Sequence, residues 1–167
     1  MNTPATTAIG NTASAALRER IRDVQEAARG VTTLYPRSYI LQCIQEDRFP
    51  DELWQKLGEF GLLGLSVPEE YGGSGGGVLE ITALNEALAL AGVPTLFLVV
   101  TGLGRVPIMR HGTPEQIRKY VTPTCTGEKK LCFAITEPNA GTNSFAMTTL
   151  ATPCLLYTSP SPRDQRG

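Results

Sequence analysis

Residues 133–143 read Phe-Ala-Ile-Thr-Glu-Pro-Asn-Ala-Gly-Thr-Asn. Leu131, Phe133 and Ile135 alternate with Cys132, Ala134 and Thr136, a period of two that predicts a strand from about Lys130. A strand end presents backbone N–H and C=O groups in a fixed row, and Thr136 adds a hydroxyl at its tip. Such a row can pair with the edge of a planar heteroaromatic ring. The Pro/Asn/Gly turn that follows lets several backbone N–H groups converge, an arrangement that cradles phosphate oxygens, and Thr142 adds a hydroxyl donor. Together these features suit a phosphorylated ring cofactor. The same pattern also describes a plain strand and a capped turn with no ligand.

Other residues with chemical potential read as structural. His111 precedes Gly112 at a helix start and reads as a packing or turn residue. Trp54 sits at helical spacing in an apolar face. The run Gly72-Gly73-Ser74-Gly75-Gly76-Gly77 lacks the Gly-Lys-Ser/Thr of a nucleotide P-loop and follows no strand. Glu69 and Glu70 read as solvated, with no carboxylate at a spacing that suggests acid/base work. Cysteines 43, 125, 132 and 154 show no CxxC and no zinc spacing, so reduced thiols and no metal are expected.

The elements that must position the 133–143 segment are helical. Leu17, Ile21, Val24 and Ala28 mark a first helix, with Gly30 as its end. A second covers Ser38 to Asp47, burying Tyr39, Ile40, Cys43 and Ile44. A third opens on Pro50, with Asp51 and Glu52 in the first turn where the dipole favours negative charge. Its apolar face is Leu53, Leu57 and Phe60, and Gly61 stops it. Leu65 to Gly77 reads as a loop. Ile81, Leu84, Leu88 and Ala91 define a fourth helix closed by Gly92, and a short apolar helix follows Pro94. Thr113-Pro114-Glu115-Gln116 is a capping box opening a helix that buries Ile117, Tyr120 and Val121.

With 167 residues, 41% apolar and 19% charged, the composition is that of an ordinary soluble protein. A net charge of −1 offers no basic patch for nucleic acid. The longest apolar run, Leu96 to Val100, is far short of the ~20 residues of a membrane span. Met1 to Ala16 shows neither signal- nor transit-peptide character, so a cytoplasmic location is expected.

The string FAITEPNAGTNSFAMTT resembles the flavin-binding signature of acyl-CoA dehydrogenases, in which Thr-Glu-Pro precedes x-Ala-Gly-Ser-Asp. FPDELWQKLGEFGLLGLSVPEEYGGSGGG, LNEALALAG and HGTPEQIRKYVTP resemble successive parts of the same family's N-terminal helical domain, in order and with matching spacing. The resemblance covers about Ile40 to Thr149, the first third or so of a family chain. It implies a mainly α fold: the N-terminal helical domain followed by the first strand of an incomplete β domain. The expected division is a flexible start over 1–16, the helical domain over 17–128, the opening of the β domain over 129–152 and a disordered tail over 153–167. That tail contains CLLYTSPSPRD, which resembles translated sequencing adapter, and it reads as non-native.

The resemblance further implies FAD as cofactor, with Phe133, Ile135 and Thr136 along the flavin and the Thr136 hydroxyl at its pyrimidine edge. Gly141 and Thr142 fall in the diphosphate-binding turn. Thr142 stands where the family usually has Ser, and contacts both FAD and acyl-CoA. Asn143 replaces the common Asp. The implied reaction desaturates an acyl-CoA thioester between Cα and Cβ, with electrons leaving to an electron-transfer flavoprotein, in a homo-oligomer. The base is expected in a C-terminal helical domain, so no catalytic residue is assigned here and the fragment alone is expected to be inactive. An acyl-CoA oxidase-like relative would share this front portion. A non-catalytic helical interaction module is a third reading, against which Thr136 and Thr142 count.

Overall fold

The computed structural model describes the backbone of residues 4–150 and the side chains from residue 14. The tail assigned to 153–167 lies outside them. The described chain is mainly α: α1 (Pro4–Leu34), α2 (Arg37–Gln45), α3 (Asp51–Glu59), α4 (Val78–Leu90), α5 (Leu96–His111), α6 (Pro114–Tyr120) and α7 (Thr122–Cys125), with short 3₁₀ turns at Leu62–Gly64, Glu69–Tyr71 and Ser144–Ala146. It divides after Phe133 into a helical unit and a second, smaller unit.

α1 is longer at both ends than its apolar pattern indicates. It starts at Pro4, over residues read as a flexible lead, and Pro suits a first helical position. It also runs through Gly30 to Leu34. Gly30 is exposed, while Val31 beside it is wholly buried with Ala28 and Val24, so packing outweighs the glycine. Pro36 ends the path and caps α2. Pro50 takes the capping position of α3, one residue ahead of the place given it by pattern. Gly61 stops α3 in the left-handed region at φ 70°.

The core of the helical unit gathers around Trp54. Its indole lies edge-on to Phe49 and Phe97, at 6.0 and 5.7 Å, and its Nε1–H donates to the Gly127 carbonyl at 2.9 Å. Leu53, Leu57, Leu84, Leu88 and Val31 pack in the same cluster. Three aromatic and aliphatic positions expected inside are instead exposed. Ile44 (64%), Phe60 (48%) and Tyr120 (42%) each sit at the edge of their helix's buried stripe, where a short helix turns its last apolar residue outward.

The helix after Pro94 is also longer than expected. It continues through Pro107 to His111, beyond the apolar run that signalled it. The Gly-rich segment packs back on the preceding turn, with the amides of Ser74, Gly75 and Gly76 donating to the carbonyls of Gly64, Val67 and Leu65. Those amides are therefore engaged internally and do not cradle a phosphate. The capping box of α6 forms as read: Gln116 N donates to Thr113 Oγ1 at 3.3 Å and Thr113 N to Gln116 Oε1 at 2.8 Å.

The strand expected from Lys130 to Thr136 does not form. Those residues carry no ladder, and the β pairing among the described residues is one isolated antiparallel bridge between Glu137 and Ala140. Alternation describes a pleated surface, but a strand exists only where a neighbour accepts its hydrogen bonds. No described segment supplies that neighbour.

Candidate functional site

The segment singled out by sequence sits at the start of the second unit. Phe133 is the last residue of the helical unit and is 38% exposed. Ile135 and Thr136 follow, both exposed and in no regular element. At Glu137 the chain turns. Glu137 N donates to Ala140 O at 3.0 Å, and Ala140 N returns the bond to Glu137 O at 3.2 Å. Pro138 and Asn139 occupy the turn and Ala140 is buried beneath it.

Gly141 and Thr142 open the loop beyond. Ser144 N donates to Thr142 O and Ala146 N to Asn143 O, which winds the Ser144–Ala146 turn. The amides of Gly141, Thr142 and Asn143 find no acceptor among the described residues. A Cβ placed on Gly141 would meet no atom within 4 Å. A run of unengaged amides, two neighbouring hydroxyls on Thr142 and Ser144, and open space form a donor set that fits phosphate oxygens. The five residues assigned by sequence thus fall into three groups. Gly141 and Thr142 share the loop, Ile135 and Thr136 lie in the irregular segment that leads to it, and Phe133 belongs to the preceding unit.

Sequence reading gave no role to Glu137, yet its side chain closes this loop. Oε2 accepts from Thr148 N at 2.8 Å and Thr148 Oγ1 at 3.0 Å, and Oε1 accepts from Thr149 N at 2.9 Å. These donors, the Thr148 amide foremost, hold the carboxyl down to about 2. No local pattern signalled this, because the amides it reaches lie 11 and 12 residues further on, at Thr148 and Thr149.

The helical unit contributes two apolar cavities. One, of about 490 Å³, lies beside Phe49, Trp54, Phe97 and Leu131. Lys130 stands at this cavity with its Nζ 4.5 Å from the Phe49 ring centre and paired to Asp51 at 2.6 Å. The other, of about 330 Å³, lies between α4 and α5, with Ile81, Leu84, Leu98 and Leu103 in its wall. Ser66, Asn85, Thr101 and Arg105 are polar members of its lining, and the Asn85 Oδ1 is buried without a hydrogen-bond partner among the described residues. Val99, Leu103 and Val106 are exposed on α5 beside this cavity.

Arg105 also escaped notice in the sequence. It is buried, and its guanidinium donates to Thr124 Oγ1 at 2.7 Å, to Leu63 O at 2.5 Å and to Thr124 O at 2.8 Å. Burial lowers its pKa, and neutral oxygens alone accept its bonds. It ties α5 to α7 and to the Leu62–Gly64 turn. Among the described residues no group of His, Cys, Asp and Glu could hold a metal, and no helix is long and apolar enough to cross a membrane.

Residues 18–128 match the family described as acyl-CoA dehydrogenase, N-terminal domain. The chain is 34% identical over 134 residues to acyl-CoA dehydrogenase FadE12 of Mycobacterium tuberculosis, covering 80% of this chain and 34% of that protein. It is 35% identical to the CarC subunit of the caffeyl-CoA reductase-Etf complex of Acetobacterium woodii, over 80% of this chain and 36% of that one. Among solved structures it is similar to butyryl-CoA dehydrogenase of Megasphaera elsdenii, with a TM-score of 0.67 and 30% identity over 78% of this chain and 35% of the other. The chain spans about a third of the length of these relatives. On the helical order, the match over 18–128 and these likenesses, the chain belongs to the acyl-CoA dehydrogenase family.

Proposed function

We propose that the protein carrying this chain is an FAD-dependent acyl-CoA dehydrogenase that introduces a Cα–Cβ double bond into an acyl thioester. The observation that carries this reading is the loop from Glu137 to Thr149, whose free amides and hydroxyls fit a diphosphate, at the family's flavin-binding signature. When bound, FAD would supply the two-electron acceptor for the hydride leaving Cβ. The Gly141, Thr142 and Asn143 amides and the Thr142 hydroxyl would hold its diphosphate. Thr136 would meet the ring edge, with Phe133 and Ile135 alongside. In this reading Thr142 also reaches the acyl-CoA.

The α4–α5 cavity, with the exposed Val99, Leu103 and Val106 beside it, offers an apolar surface for the acyl chain. Excluding water there strengthens the electrostatics that make the α proton acidic. The base that removes this proton is assigned to the remainder of the protein. The domain reading goes with this proposal: helical domain over 17–128 and the opening of a β domain over 129–152. Electrons would pass to an electron-transfer flavoprotein, a reading supported by the kinship with CarC of an Etf complex, and the protein would be a homo-oligomer.

The test is expression of the complete reading frame. A yellow protein with bound FAD that reduces an artificial acceptor when given acyl-CoA is expected. A purified protein without flavin, and without acyl-CoA-dependent reduction when FAD is added, would overturn the reading.

A further inference from the structure

We infer that Glu137 is a positioning residue, the latch that sets the shape of the diphosphate-binding loop without itself touching the ligand. The inference rests on the flavin reading above. Its grounds are geometric. Through its main chain Glu137 is bonded in both directions to Ala140, and through its side chain it takes donors from Thr148 and Thr149. One residue therefore fastens both ends of the segment 138–147, which contains the Gly141, Thr142 and Asn143 amides that find no acceptor among the described residues.

The charge of Glu137 bears on the choice of residue. A carboxylate near an anionic diphosphate is unfavourable unless its lone pairs are turned to other donors. Here both oxygens are taken, Oε2 by two donors and Oε1 by one. Only an ionised carboxylate offers acceptors on both atoms. A glutamine of the same length would set an N–H₂ group against the N–H of Thr148 or Thr149, donor facing donor. Aspartate keeps the charge but is one methylene too short to span from the turn to Thr149.

The test compares wild type, Glu137→Gln and Thr148→Val in the protein that carries this chain, freed of its flavin. Binding of FAD, ADP and riboflavin is measured, together with amide hydrogen exchange at Thr148 and Thr149. Glu137→Gln is expected to weaken FAD and ADP roughly 10–100-fold, the range for losing hydrogen bonds to a charged group. Riboflavin, which lacks the diphosphate, should bind as before, and exchange at both amides should accelerate. Thr148→Val removes one donor of three and should give a smaller loss in the same direction. Unchanged FAD affinity in Glu137→Gln would overturn the inference while leaving the flavin reading in place. An equal loss of riboflavin would overturn it too, because Glu137 would then serve the fold generally. A wild type that takes up neither FAD nor ADP would sink the flavin reading, and the latch with it.

Discussion

Thr142 and Arg105 show how differently single side chains are read from a sequence. Thr142 announced itself through its motif, and its hydroxyl lies in a loop of free donors. If it serves the diphosphate, Thr142→Val in the complete protein should weaken FAD retention by about 1–3 kcal/mol, the penalty for an unpaired acceptor. Thr142→Ser should be nearly silent, and flavin content after dialysis reads both. Arg105 gave no such notice, because one Arg in an apolar helix looks like a solvated position. Burial and three bonded oxygens make it a strut instead. Arg105→Met should orphan the Leu63 and Thr124 carbonyls at about 1–3 kcal/mol each, lowering the urea midpoint of the helical unit. Glu137 adds a pH dependence whose sign follows from its depressed pKa. The carboxyl lies near 2 against an ordinary 4.5, so loop closure is at full strength above pH 4.5 and is lost as pH falls from there through about 2. The Thr148 and Thr149 amide resonances should move together across that interval, and should not do so in Glu137→Gln.

Helices were legible where apolar periodicity and punctuation agreed, as in α3, α4 and the capped α6. They were misjudged where packing overrode punctuation. Gly30 looked like a stop, but burial of Val31 carries α1 past it, while Gly61 does stop α3 because its φ is positive. Two helix glycines accordingly predict opposite outcomes. A Cβ on Gly30 would meet nothing within 4 Å, so Gly30→Ala should stabilise the protein by about 0.5–1 kcal/mol. A Cβ on Gly58 would lie 2.1 Å from the Thr126 carbonyl oxygen, beside the Gly127 carbonyl that receives the Trp54 indole. Gly58→Ala must push α3 off that contact and should destabilise by about 1–3 kcal/mol, the usual range for overpacking. Thermal unfolding of the two variants beside wild type checks both signs. The 130–136 segment was misread for a different reason: alternation reports which faces are apolar, not whether a partner strand exists.

For the molecule as a whole, what could be read from the sequence was the family and its helical order, and what could not was the internal bonding of the candidate site. The motif named Gly141 and Thr142, but the closure by Glu137 depends on Thr148 and Thr149, whose side chains and amides the motif left without a role. The chain spans about a third of the length of its relatives, and the base is assigned elsewhere. The 167-residue chain should therefore reduce no dye with any acyl-CoA, and turnover in such an assay would contradict that assignment. Its surface points the same way. Leu96, Val99, Leu103 and Val106 recur along one face of α5 and are each at least 44% exposed, and an apolar stripe so placed should make the chain bind hydrophobic dyes. The loop fastened by Glu137 behaves otherwise, since every bond that closes it comes from residues 137–149. During synthesis such a loop needs no residue beyond Thr149, so it can close as soon as Thr149 has left the ribosome.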